Sequence, residues 1–117
     1  MITYTNMTVD TPVGYEIIVD ACKEALKRAA ITKGRQRHAA YDNQPIMEQD
    51  IAHYSDGWRI DQIRKKAQEA GRFLESKRTS NMRAAYNELV DIIVIASVAM
   101  QVIKNRLDYD AFDRRAR

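Results

Sequence analysis

Leu89-Val90-Asp91-Ile92-Ile93-Val94-Ile95-Ala96-Ser97-Val98-Ala99-Met100-Gln101-Val102-Ile103 is an almost unbroken apolar run, entered through two carboxylates, Glu88 and Asp91. A segment apolar on nearly every side has to be covered on nearly every side, and acids are rarely buried without a partner or a task. The run therefore marks the centre of the fold, and the acid pair marks a place within it where charge has to be answered. Its uninterrupted part, Ile92 to Met100, is far shorter than the roughly 20 apolar residues of a bilayer crossing. The N-terminal Met-Ile-Thr-Tyr-Thr-Asn has neither the basic region nor the apolar stretch of a signal peptide. The sequence reads as that of a soluble, cytoplasmic protein with no membrane partner.

Working outward, Thr79-Ser80-Asn81 caps a helix of about Met82 to Arg106 that contains the run. On its N-terminal side, Ser55-Asp56-Gly57 is a turn and cap signal opening a second helix. In that helix Ile60, Ile63, Ala67, Ala70 and Leu74 step by three and four as a narrow apolar seam. The connection between the two is short, which predicts antiparallel neighbours. Further upstream, Thr11-Pro12 reads as an N-cap followed by a helix-starting proline. The helix after it buries Ile18, Cys22, Ala25 and Ala29, and exposes Asp20, Lys23, Glu24, Lys27 and Arg28 as an ordinary solvated face. Between these helices, Lys33 to Gln44 reads as a loop, and Pro45 opens a short helix through Ile46, Met47, Ile51 and Ala52.

The fold class that follows is all-α: an antiparallel helical hairpin plus an N-terminal helix in one domain, residues 1–117, with segments 1–10 and 107–117 read as extended or flexible tails. A chain of 117 residues has a modest core and few helices with which to wrap so apolar a segment. Completion of the bundle by self-association, as a dimer or higher homo-oligomer, is the expected remedy. The single cysteine, Cys22, excludes a disulfide framework and reads as a buried thiol. With 19 basic against 16 acidic residues the net charge is +3 and the pI about 9.1. Such a balance favours anionic ligands without demanding nucleic acid.

Helical geometry places the acids. At about 100° per residue, Glu88 and Asp91 share a stripe with Ala84, Ile95 and Val98, so both point where the helix packs. In a hairpin turning near Thr79 and Ser80, residues whose numbers sum to roughly 159 lie side by side. Glu88 is then expected beside Gly71 and Arg72, Asp91 beside Gln68 and Lys65, and Glu69 within a turn of both.

An acid-x-x-acid pair, Glu88-Leu89-Val90-Asp91, opening a very apolar helix and preceded by a helix with its own acid resembles the all-α NTP pyrophosphatase (MazG-like) superfamily. The similarity covers roughly Trp58 to Arg106. The resemblance implies helix-borne carboxylates holding Mg²⁺ against a nucleoside triphosphate, release of pyrophosphate, and assembly as dimers or tetramers. On this chain the implied metal set is Glu69, Glu88 and Asp91. Where a second acidic motif is wanted, the chain has Gln68-Glu69-Ala70-Gly71-Arg72. Mg²⁺ wants hard oxygen ligands in tight octahedral geometry, and a guanidinium among them repels it. The acids can therefore serve a salt-bridge network with Arg72 and Lys65, an anion site without turnover, or a working metal site.

Lys33, Arg35, Arg37, His38 and Tyr41, followed by Asn43 and Gln44, form a second constellation. Arginine forks bind phosphate oxygens, an aromatic ring stacks on a base, and amides read its edge. Arg59 and Lys66, seven residues apart on one flank of the second helix, extend this set into a positive wall. The expected ligand-binding residues are Arg35, Arg37, His38, Tyr41, Arg59, Lys66 and Arg72, with no catalytic residue assigned. No nucleophile motif, phosphate-cradling glycine loop or helix-turn-helix signature is present. Three functions stay open. One is a nucleotide-binding protein that sequesters or senses a phosphorylated nucleotide without turnover or cofactor, similar to phage-encoded accessory proteins. The others are a Mg²⁺-dependent NTP pyrophosphohydrolase and an oligomeric structural adaptor.

Overall fold

The computed structural model describes residues 10–30 and 54–116, with side chains as far as residue 111. Three helices carry the described chain: α1 (Glu16–Ala30), α2 (Asp56–Glu75) and α3 (Thr79–Ala116). No strand occurs among the described residues. α2 and α3 form an antiparallel hairpin joined by residues 76–78, and α1 lies against α3. The expected loop from Lys33 to Gln44 and the short helix from Pro45 to Ala52 lie outside the described residues, as do residues 1–9.

Local chemistry explains the boundaries. The Ser55 hydroxyl accepts the Trp58 amide at 3.2 Å, the capping bond that satisfies a donor with no partner inside the first turn. At the other end Ser76 leaves helical geometry with ψ of 121°, and its hydroxyl accepts the Asn81 side-chain amide at 2.6 Å. Arg78 supplies the carbonyl for both the Asn81 and Met82 amides. α3 therefore starts at Thr79, three residues before the expected Met82, with Arg78 in the capping position. It also continues to Ala116 through the segment expected to be a loose tail: no glycine or proline interrupts it, and Gln101 donates to Asn105 one turn on at 2.8 Å.

The start of α1 differs from the sequence expectation. The Tyr15 amide donates to the Pro12 carbonyl at 3.1 Å, closing a turn over Pro12 to Tyr15, and Gly14 takes φ of 93°. A turn with positive φ at its third residue favours glycine there. Pro12 consequently opens a turn instead of the helix, which begins at Glu16.

The buried apolar residues of the described chain are small: Ala25, Ala70, Ala85, Val90, Val94, Val98 and Val102. Val90 and Val94 meet Ala25 of α1, with Ala29 and Ile93 alongside. Ala70 and Ala85 sit on the facing helices of the hairpin, where absent bulk permits close approach. Several expected core residues face out, Cys22 among them; Ile18 is 58% exposed. On α2 the inward row is Arg59, Ile63, Lys66, Ala70 and Phe73, with Ile60, Ala67 and Leu74 exposed. It stands about one residue away from the expected seam because Arg59 and Lys66 bury their stems to reach carboxylates, as long cationic side chains can.

α3 as a whole is much longer than the uninterrupted apolar run within it. Between Thr79 and Ala111 it is long and apolar enough, by length and composition, to cross a membrane, with a window of mean hydropathy 1.6 of which 22% is buried. That span includes Asp91 and Gln101, which flank the uninterrupted run Ile92 to Met100. Core helices of soluble proteins can satisfy the same test. Here α2, with four acidic and five basic residues between Asp56 and Glu75, lies along the same helix.

Candidate functional site

Glu88 and Asp91 project from α3 into the space between α1 and α2, and cations from both neighbours meet them. Arg28, in the last turn of α1, places Nε 2.6 Å from Asp91 Oδ1 and donates through Nη1 to Asn87 Oδ1 at 3.3 Å. Lys66, midway along α2, donates to Asp91 Oδ2 at 3.2 Å and stands 3.6 Å from Glu88 Oε2. The four charged side chains keep only 14–20% of their surface exposed. Two positive and two negative groups make the cluster neutral. Its geometry is uneven, since Asp91 uses both oxygens whereas Glu88 Oε2 is buried without a hydrogen bond.

A second ionic cluster lies at the open end of the hairpin. Arg106 clamps Asp56 with two hydrogen bonds, 2.6 and 3.1 Å, the bidentate arrangement that suits guanidinium and carboxylate. Arg59, only 3% exposed, donates to the same carboxylate at 2.9 Å and to the Tyr54 carbonyl at 3.2 Å. The Arg106 hydrogen bond is the main reason the Asp56 carboxyl is held below its ordinary 3.8, assisted by the charges of Arg106 and Arg59 and opposed by desolvation. The same bond raises the Arg106 guanidinium. Trp58 stacks on Tyr54 at a centroid distance of 3.8 Å.

These contacts rearrange the expected site. The partners of the acids are Lys66 and Arg28 instead of Lys65 and Arg72; Arg72 is exposed and makes no ion pair to a described residue. α2 places Lys66 inward, and the one-residue step to Lys65 turns that side chain about 100° away. Arg28, expected on the solvated face, is drawn inward by Asp91. Its place one turn beyond Ala25 on the packed side of α1 was the signal that could have found it. Asp56 and Arg106 were also missed, although their pairing lies within one helical turn of the hairpin register.

Arg59 and Lys66 remain on one flank of α2, but Asp56, Glu88 and Asp91 answer their charges, so together they do not present a bare positive wall. Arg35, Arg37, His38 and Tyr41 lie outside the described residues. Glu69 is half-buried, and among the described residues no group of three or more His, Cys, Asp or Glu side chains is placed to hold a metal ion. An ammonium and a guanidinium already engage the two acids. The side chains as arranged therefore do not fit Mg²⁺, which needs those carboxylate oxygens for itself. No family model, curated protein or solved structure matches the chain, so its likeness to the MazG-like superfamily rests on the residues quoted for it.

Proposed function

We propose that this chain is a cytoplasmic nucleotide-binding helical protein that sequesters or senses a phosphorylated nucleotide without turning it over. The observation that supports this reading is the engagement of Asp91 by both Lys66 and Arg28, with Glu88 beside the same ammonium. Carboxylates held in this way are poorly disposed to bind metal, so recognition falls to cations that contact phosphate directly. Arg28 anchors the end of α1 at this cluster. Lys33, Arg35 and Arg37 follow Ala30 by three, five and seven residues, within reach of about 10 to 25 Å of extended chain. In sequence the basic constellation begins three residues after the end of α1, and Tyr41 would supply a ring for a base.

Calorimetric titration with nucleoside triphosphates and cyclic dinucleotides, in Mg²⁺ and in EDTA, tests the proposal when combined with a pyrophosphate assay. Binding should persist in EDTA, and no pyrophosphate should appear. Arg35→Ala and Arg37→Ala should each weaken binding by about 1.5 to 3 kcal/mol, the range for a hydrogen bond to a charged group, without lowering the melting temperature. Absence of binding to every ligand would overturn the proposal in favour of a structural adaptor.

One observation favours the pyrophosphohydrolase as a second reading. Glu88 Oε2 is a buried acceptor without a hydrogen bond, on a helix whose acids are three residues apart. That enzyme would require Lys66 and Arg28 to give way to the metal. Its signature is Mg²⁺-dependent pyrophosphate release lost in both Glu88→Gln and Asp91→Asn, which keep the shape and remove the charge.

A further inference from the structure

The large apolar side chains of α3 occupy the side that α1 and α2 leave open. Met82, Tyr86 and Leu89 at one end are 46%, 53% and 49% exposed, and Met100, Ile103 and Leu107 at the other are 70%, 52% and 63% exposed. With half-buried Ile93 and Ala96 between them, these positions advance by four and three residues in strict alternation. That is the spacing of a coiled-coil seam, sustained for about 38 Å of helix. The other two directions are occupied: α1 approaches Asn87, Val90, Asp91 and Val94, and α2 approaches Glu88, Asp91 and Arg106. At about 100° per residue the seam covers the remaining third of the helix surface.

We infer that this seam is the docking surface for α3 of a second copy of the chain, running antiparallel across a twofold axis. The six exposed large apolar side chains lie in one row, a contiguous strip of the kind that marks an interaction site, whereas apolar residues scattered singly do not. The order of residues suits an antiparallel partner. With the axis between Ile93 and Ala96, each isoleucine meets the small alanine of the other copy, while Leu89 meets Met100 and Met82 meets Leu107. Charge agrees with this direction. Arg83 and Asp108 share one flank of the seam, about 20° apart in projection, and both are exposed. Antiparallel pairing sets Arg83 opposite Asp108 of the partner subunit, twice by symmetry.

Sedimentation equilibrium of the full chain across the micromolar range, without nucleotide, tests the interface independently of the ligand proposal. The wild-type chain should be a dimer, and Leu89→Glu with Met100→Glu should make it monomeric. Helical circular dichroism should be unchanged because both residues are exposed in the single chain. Arg83→Asp and Asp108→Arg should each weaken the dimer at least tenfold, and together restore it. A monomeric wild type at high micromolar concentration would overturn the inference. So would a dimer indifferent to the glutamates, failed rescue by the charge exchange, or a monomer that floats with phosphatidylcholine vesicles, which would assign the seam to lipid.

Discussion

Asp91 is the residue on which the packing of three helices converges. It accepts from Lys66 of α2 and pairs with Arg28 of α1, and each cation brings a different helix to α3. Asp91→Asn would remove the nearest carboxylate charge from two partly buried cations, leaving Lys66 only the longer contact to Glu88. Denaturant unfolding should show a loss of about 2 to 3 kcal/mol, below the cost for a fully buried pair because some water reaches each group. Glu88→Gln should cost about 1 kcal/mol or less, since its oxygen lies 3.6 Å from Lys66 and lacks a hydrogen bond. Equal effects would contradict the uneven geometry. Arg72, the neighbour expected for Glu88 from the hairpin register, lies outside the cluster and does not add to this cost.

Asp56 makes a separate prediction at the same scale. Its folded pKa is depressed below 3.8, chiefly by the hydrogen bond from Arg106. It therefore binds fewer protons folded than unfolded in the acid range, and contributes stability that is fully present above its ordinary pKa. That contribution falls as pH drops through the folded value. The stability difference between wild type and Asp56→Asn should be constant near neutrality and shrink progressively below pH 3.8. A difference that grows on acidification would reverse the assigned linkage.

At the scale of elements, two glycines do opposite things. Gly14 has φ of 93° in the turn before α1, whereas Gly71 lies within α2 with nothing within 4 Å of an added methyl group. Gly14→Ala should destabilise by about 1 kcal/mol because the backbone is incompatible with a side chain, and Gly71→Ala should stabilise by about 0.5 to 1 kcal/mol by restricting the unfolded chain. Thermal melts of both variants check the pair of signs. The antiparallel hairpin was legible from the short connection expected near Thr79 and Ser80, which the structure places at residues 76–78, and the Ser55 cap from its place before an apolar seam. The rotation of α2 was not legible. Periodicity counts Lys66 as polar and therefore outward, whereas an inward lysine is stable once Asp91 lies opposite.

At the scale of the whole molecule, the described chain is elongated, 58 × 34 × 31 Å, with a radius of gyration of 16.6 Å against about 13 Å for a compact domain of this length. Among the described residues alanine and valine fill the interior, while most of the methionine, leucine, isoleucine and tyrosine side chains are exposed. Pairing through α3 would make folding depend on concentration, because association favours the native chain by mass action. The melting temperature should rise with protein concentration in the wild type. It should be flat for the Leu89→Glu, Met100→Glu double variant.

By itself the sequence determined the helical class, the hairpin and the inward aim of Glu88 and Asp91. Those features follow from caps, turn residues and the angular step of a helix, all of which are local. Tertiary structure alone decided which cations meet the acids, which row of α2 faces inward and which third of α3 stays uncovered. Each choice depends on the direction from which a second helix approaches. A rotation of one residue there exchanges Lys65 for Lys66 without altering the periodicity of either helix.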